Sequence, residues 1–248
     1  MPSSTPPAST RQSLQHNHRT GACERGISAL CLLLAVGLLG FDGWRVATHW
    51  TPGAIPALAL IAAGWLLADF LSGLVHWAAD TWGRIDTPWI GRRFLHPFRV
   101  HHVNPRDIFA RGFLDLNGDV AMLTLPVLAG VALLPLESAV LQAIALLLTA
   151  TAGFVLPTNQ IHQWAHQDMP PSAVRRLQAA RLVLDRRAHA IHHADPAGGH
   201  YCITTGWCNR SLARWKFHAR CERLITRLTG LQPRVEENLP PVSLPSES

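Results

Sequence analysis

The block AIPALALIAAGWLLADFLSGLVHWAAD (54–80) constrains this chain more than any other stretch. Its 27 residues would form a helix about 40 Å long, against a bilayer hydrocarbon core of about 30 Å. A segment of that kind crosses a membrane, and its last turns, carrying His76 and Asp80, project into the interface. Three more apolar runs accompany it: 26–41, 120–136 and roughly 138–160. The first has the look of a signal-peptide core, but a long polar lead and no small-x-small cleavage site favour a retained span. NGD (117–119) is expected to cap the third span, and Glu137 to mark a tight hairpin before the fourth. Pro126 and Pro157 are tolerable as kinks in membrane helices. The expected fold is therefore all-α: a polytopic membrane protein with four transmembrane helices.

What lies outside the spans is polar and basic. Residues 1–25 form a Pro/Ser/Thr-rich tail that includes His16 and His18, 26–232 a single membrane domain, and 233–248 a loose tail. SAVRRLQAARLVLD (172–185) and SLARWKFHARCERLITRL (211–228) read as amphipathic helices lying on the membrane. Of the 22 basic residues, twelve follow Gln167 and six lie between Thr81 and Gly118. No recognition-helix or aromatic-interleaved pattern supports nucleic-acid binding, whereas topology explains the charge directly. Only Arg45 falls in the first outer loop and no Arg or Lys in the second, so both termini are placed in the cytoplasm, at the inner membrane in a bacterium. Five scattered cysteines without a C-x-x-C pair argue against a disulfide framework. The tryptophans, especially Trp77, Trp82, Trp89 and Trp164, are expected to form an interfacial belt.

That topology gathers the histidines on one face. His76 and Asp80 are i,i+4, as are His162 and His166, while His189, His192 and His193 are i, i+3, i+4. His101 and His102 stand just before Asn104-Pro105, where helix is disfavoured. Eight imidazoles from four segments exceed what one ion usually takes, so two metals are expected under a cytoplasmic helical cap. Imidazole suits Zn, Cu, Fe and Ni alike. The chain lacks H-E-x-x-H, the Glu-x-x-His of carboxylate-bridged bundles and C-x-x-C-H, which leaves an oxygen-activating di-iron centre as the best fit.

The tracts ADFLSGLVHWAADTWG (68–83), PFRVHHVNP (97–105), TNQIHQWAH (158–166) and HAIHHADP…YCITTGWCN (189–209) resemble the plasmanylethanolamine desaturase family, the Kua or CarF-like lipid desaturases. A plant phosphatidylglycerol desaturase belongs to the same family. The resemblance runs from about Ala68 to Pro233. It implies that His76, His101, His102, His162, His166, His189, His192 and His193 bind two irons, with Asp80 and Asn159 orienting ligands or holding water. It implies an oxidoreductase that uses O2 to convert the alkyl chain of an ethanolamine ether phospholipid to the vinyl ether of a plasmalogen. Electrons would come from cytochrome b5 or a ferredoxin-like donor. The carbons beside an ether oxygen lie at headgroup depth, where the spans end.

Several assignments stay open on sequence. His96 and His200 lie near the centre without matching the family pattern. Asp69, inside the second span, is either a substrate-site or a structural carboxylate. Arg92, Arg93 and Arg99 are candidates for a lipid phosphate, although topology alone would place arginines there. The rival functions are an acyl-lipid or fatty acid desaturase or hydroxylase with the same centre, and a non-catalytic metal- or lipid-binding membrane module.

Overall fold

The computed structural model describes residues 21–195 and 199–234, apart from the side chains of Arg92 and Val103. The N-terminal histidines His16 and His18 lie outside the described residues. The described residues form ten α-helices: α1 (Ala22–His49), α2 (Ala54–Thr81), α3 (His96–Val103), α4 (Phe113–Ala132), α5 (Ala139–Val155), α6 (Thr158–His166), α7 (Ser172–Ala179), α8 (Arg186–Ala194), α9 (Asn209–Arg214) and α10 (Phe217–Thr229). No strand occurs among the described residues. Helices α1, α2, α4 and the α5–α6 pair are long and apolar enough to cross a membrane.

The spans pack α1 against α4 and α2 against α5, with α5 also touching α1 and α4. Small residues permit the approach: Ala35, Ala121 and Ala152 are buried with Leu128 and Leu156 in one apolar cluster. A Cβ on Gly118 would lie 2.3 Å from the Ser28 side chain, so α1 and α4 meet this closely only over glycine. At the end of the bundle away from the histidines, Arg45 of α1 donates to the carbonyls of Val131, Ala132 and Leu134, closing the last turn of α4, where Val131 O also accepts the Leu134 amide. Arg45 is thus a helix cap rather than a loop charge.

Four boundaries differ from expectation, one being the helix expected over 172–185, which ends at Ala179. The first span extends from Ala22 to His49, beyond the apolar run 26–41. The third begins at Phe113 behind Gly112, so Asn117–Asp119 are not its cap. Their side chains act inside the helix: Asn117 Nδ2 donates to Phe113 O, and Asp119 pairs with Arg93. The basic segment 211–228 is two helices, because Lys216 adopts left-handed backbone (φ 49°) between α9 and α10.

Candidate metal centre

Four elements deliver the histidines to one end of the bundle. The last turns of α2 carry His76 and Asp80, α3 carries His101 and His102, α6 carries His162 and His166, and α8 carries His189, His192 and His193. Helix α3 stops at Val103, with Asn104 as C-cap before Pro105. Helix α8 starts where Asp185 Oδ1 accepts the Ala188 amide at 2.9 Å. Helices α6 and α8 pack together over Ile161, Ala165, Leu184 and Ile203.

The side chains resolve into two donor sets. His101, His162, His166, His189 and His193 form one; His76, Asp80, His102 and His192 form the other. Within each set the donor atoms lie within 4.8 Å of one another. In the first, Nε2 of His189 stands 2.9 Å from those of His162 and His166 and 3.0 Å from that of His193. In the second, Asp80 Oδ2 is 3.2 Å from His76 Nε2 and 3.0 Å from His102 Nε2.

These separations suit metal ligation. Donors each about 2.1 Å from one ion stand about 3 Å apart when they bond at right angles. Neutral imidazoles whose lone pairs share a focus repel each other, and protonated ones repel more; a cation at the focus removes the conflict. His101 Nε2 is buried with no hydrogen-bond partner among the described residues. Burial, reinforced by neighbouring imidazoles, holds His101, His189 and His192 well below the ordinary histidine range and His193 at about 3, so the rings stay neutral and free to ligate.

Segment 199–209 fixes the second set from behind. His76 Nδ1 donates to Tyr201 O and His192 Nδ1 to Gly199 O, both at 3.0 Å, which leaves each Nε2 as the donor to a metal. The segment is itself tied to α2. Asp69 Oδ1 accepts the amides of Thr205 and Gly206, Asp69 Oδ2 accepts that of Cys208, and Ser72 Oγ accepts that of Ile203. A Cβ on Gly73 would lie 2.5 Å from Cys202 Sγ, so the strap lies against α2 over a glycine. Asp69, Ser72, His76 and Asp80 thus share one face of α2, and its upper half anchors the loop that orients its lower half.

The other predicted residues fall as follows. Asp80 stands among the donors, so the second set is not all imidazole. Asn159 is in neither set and donates to Leu116 O at 2.7 Å. His96 and His200 are also in neither. The guanidinium of Arg93 is bound to Asp119 and Ser28, and that of Arg99 to the carbonyls of Ala79, Trp82 and Gly83. The Arg92 side chain lies outside what the structure describes. Trp77 is buried and donates to Glu222, and Trp164 packs into the α6–α8 core, so neither belongs to a belt; Trp89 remains exposed. Sequence reasoning missed the part played by Gly199 and Tyr201, whose contribution is carbonyl oxygen and leaves no signature in side-chain type.

Four apolar spans ending in a buried, histidine-rich cluster able to hold metal define a polytopic membrane protein of the histidine-box kind. The lipid desaturase domain family matches residues 65–236, and the chain belongs to that family. It is 41% identical over 180 residues to plasmanylethanolamine desaturase of Myxococcus xanthus, covering 73% of this chain and 64% of that protein. It is 42% identical over 191 residues to plasmanylethanolamine desaturase 1 of Mus musculus, covering 71% and 68%. Chloroplastic fatty acid desaturase 4 of Arabidopsis thaliana is 35% identical over 184 residues, covering 72% of this chain and 54% of that protein. The chain therefore spans slightly less than two thirds of the Myxococcus protein. No solved structure matches it.

Proposed function

We propose that this protein is a di-iron lipid desaturase that forms the vinyl-ether double bond of a plasmalogen from an ethanolamine ether phospholipid. The observation that carries this reading is the convergence of nine donors into two adjacent sets at the ends of the spans. Support for the substrate comes from the two relatives named plasmanylethanolamine desaturases. Bound iron supplies activation of dioxygen, which accepts two hydrogens from neighbouring chain carbons and, with two electrons and two protons, leaves as two waters. Cytochrome b5 or a ferredoxin-like protein supplies the electrons from the cytoplasmic side, a reading supported by the gathering of basic residues outside the spans on the histidine side.

The chain's residues do the positioning. Eight histidines and Asp80 ligate; the Tyr201 and Gly199 carbonyls fix the rings of His76 and His192; burial of the cluster excludes bulk water. Asn159 holds the backbone of α4 against α6 through Leu116. Expression in a host supplied with an alkyl ether phospholipid, followed by lipid mass spectrometry, tests the reading. A product two mass units lighter that releases fatty aldehyde in acid is expected. The Arabidopsis relative is named a fatty acid desaturase, and acid-stable unsaturation would select that acyl-chain reading instead. Protein that binds no iron and consumes no oxygen with a reduced donor would leave only a membrane binding module.

A further inference from the structure

The spans do not close completely on one another. An apolar cavity of about 270 Å³ lies among α2, α4 and α5. Two properties of its walls identify what it accepts. Leu71 and Val75 of α2 and Leu123 and Val127 of α4 line it, yet each is also 37–53% exposed on the outer face of a membrane span. The mouth therefore opens sideways, toward hydrocarbon. The hydroxyls in the wall are already engaged. Ser72 donates to Asp69 O, Thr124 to Val120 O and Ala121 O, Thr151 to Leu147 O, and Thr158 is paired with Thr204. A ligand with a polar group along its length would gain little in such a chamber, whereas an aliphatic chain matches it.

The inner end is bounded by Phe98 and Asn159. The Phe98 ring lies 5.1 Å from that of His76, and Asn159 precedes His162 by one helical turn. The same two residues also line a second cavity of about 30 Å³, whose other walls include His101, His162 and Arg111. A space of that size admits one molecule as small as water or dioxygen. Phe98 and Asn159 thus partition a long apolar chamber from a small one beside the donor sets.

We propose that the apolar chamber is the binding site for one aliphatic chain of the lipid substrate, entered laterally from the bilayer between α2 and α4, and that Phe98 and Asn159 form the stop that sets which chain carbons reach the metals. This rests on the desaturase reading and adds the route and the stop. The test uses two alkyl phospholipid probes, with a diazirine at mid-chain or at the first chain carbons. Each is cross-linked to full-length, iron-loaded protein in nanodiscs without reductant, and adducts are located by peptide mass spectrometry.

The mid-chain probe is expected to label Ala152, which is 3% exposed and out of reach of lipid outside the bundle. The head-end probe is expected on Phe98 or Asn159. Thr151→Phe, which narrows the chamber, should lower Ala152 labelling at least fivefold while iron content holds. Labelling confined to outward residues such as Leu33 and Leu34, and unchanged by Thr151→Phe, would mean annular lipid only and overturn the proposal. Should Thr151→Phe not fold, the adduct map of the unaltered protein decides alone. Adducts at Ala152 without any double bond on adding a reduced donor would remove the desaturase reading and keep the chain site. A double bond without such adducts would do the reverse.

Discussion

His101 and His102 are neighbours in the chain, their ring centroids are 4.5 Å apart, and they serve different donor sets. Consecutive helical residues point about 100° apart, so the boundary between the sets crosses the face of α3. The same holds on α8, where His189 and His193 join one set and His192 the other. Helices α2 and α6 each serve a single set. His166→Ala and His76→Ala should therefore each lower bound iron from two per chain to about one, from opposite sets, with activity reduced at least about a hundredfold. Elemental analysis of detergent-purified protein checks this. Two irons retained in both variants would contradict the division.

Asp69 precedes His76 by two helical turns and yet supports one of the two sets through the backbone. Its carboxylate accepts three backbone amides of the strap whose carbonyls hold His76 and His192. Asp69→Ala leaves the Thr205 amide buried and unpaired, at a cost of about 1–3 kcal/mol, and takes the partner from the partly buried amides of Gly206 and Cys208. The expected outcome is a lower melting temperature together with a roughly tenfold or greater loss of metal affinity at the second set. Metal titration that resolves the two sites separates this from general destabilisation, which would weaken both equally.

The histidine cluster was legible because donors gathered at helix ends appear as i,i+4 pairs and His-His doublets, and because charge bias put them all at one end. Asp80 was visible as the i,i+4 partner of His76, but that spacing serves a metal ligand and a ring-orienting carboxylate equally well. In the structure its Oδ2 lies 3.2 Å from His76 Nε2 and 3.0 Å from His102 Nε2, which fits either role. The strap was not legible, since amides and carbonyls do the work there. Asn117–Asp119 look like a helix start, and only the fold reveals that Arg93 arrives from another segment to claim Asp119. The tryptophans misled for a related reason: Trp77 is amphipathic enough for an interface, but it is buried and Glu222 of α10 accepts its indole N–H.

The Arg93–Asp119 pair ties the turn before α3 to α4, with Ser28 of α1 as a third member. Both charges are almost fully buried, and Arg111 stands 3.7 Å from Asp119 as a second cation. Arg93→Met alone is expected to cost less than the roughly 3–5 kcal/mol of a fully broken buried pair, because Arg111 still faces Asp119. Adding Asp119→Leu takes that carboxylate from Arg111 and deepens the loss. Chemical unfolding of the purified protein in detergent measures both. Equal destabilisation by the single and double variants would show that the guanidinium contributes through packing rather than charge. In either case Arg93 is committed to the fold and is a poor candidate for a headgroup phosphate.

Acid should destabilise the metal-free protein through the same rings that are proposed to bind metal. His101, His189 and His192 are held well below the ordinary range by burial and neighbouring imidazoles, and His193 at about 3 for the same reasons. In the unfolded chain these rings take up protons near the ordinary value of about 6.5. Between that value and the folded ones the unfolded state binds more protons, so stability rises with pH across this window. The contribution is complete above about pH 6.5 and is lost progressively as the pH falls below it. The melting temperature of chelator-treated protein should thus be flat from pH 8 to about 7 and decline below about 6.5, with a shallower decline in His193→Gln. Added iron should shift the decline to lower pH, because metal and protons compete for the same lone pairs. A melting temperature that rises on acidification would mean that the rings are protonated in the folded state and do not form a metal site.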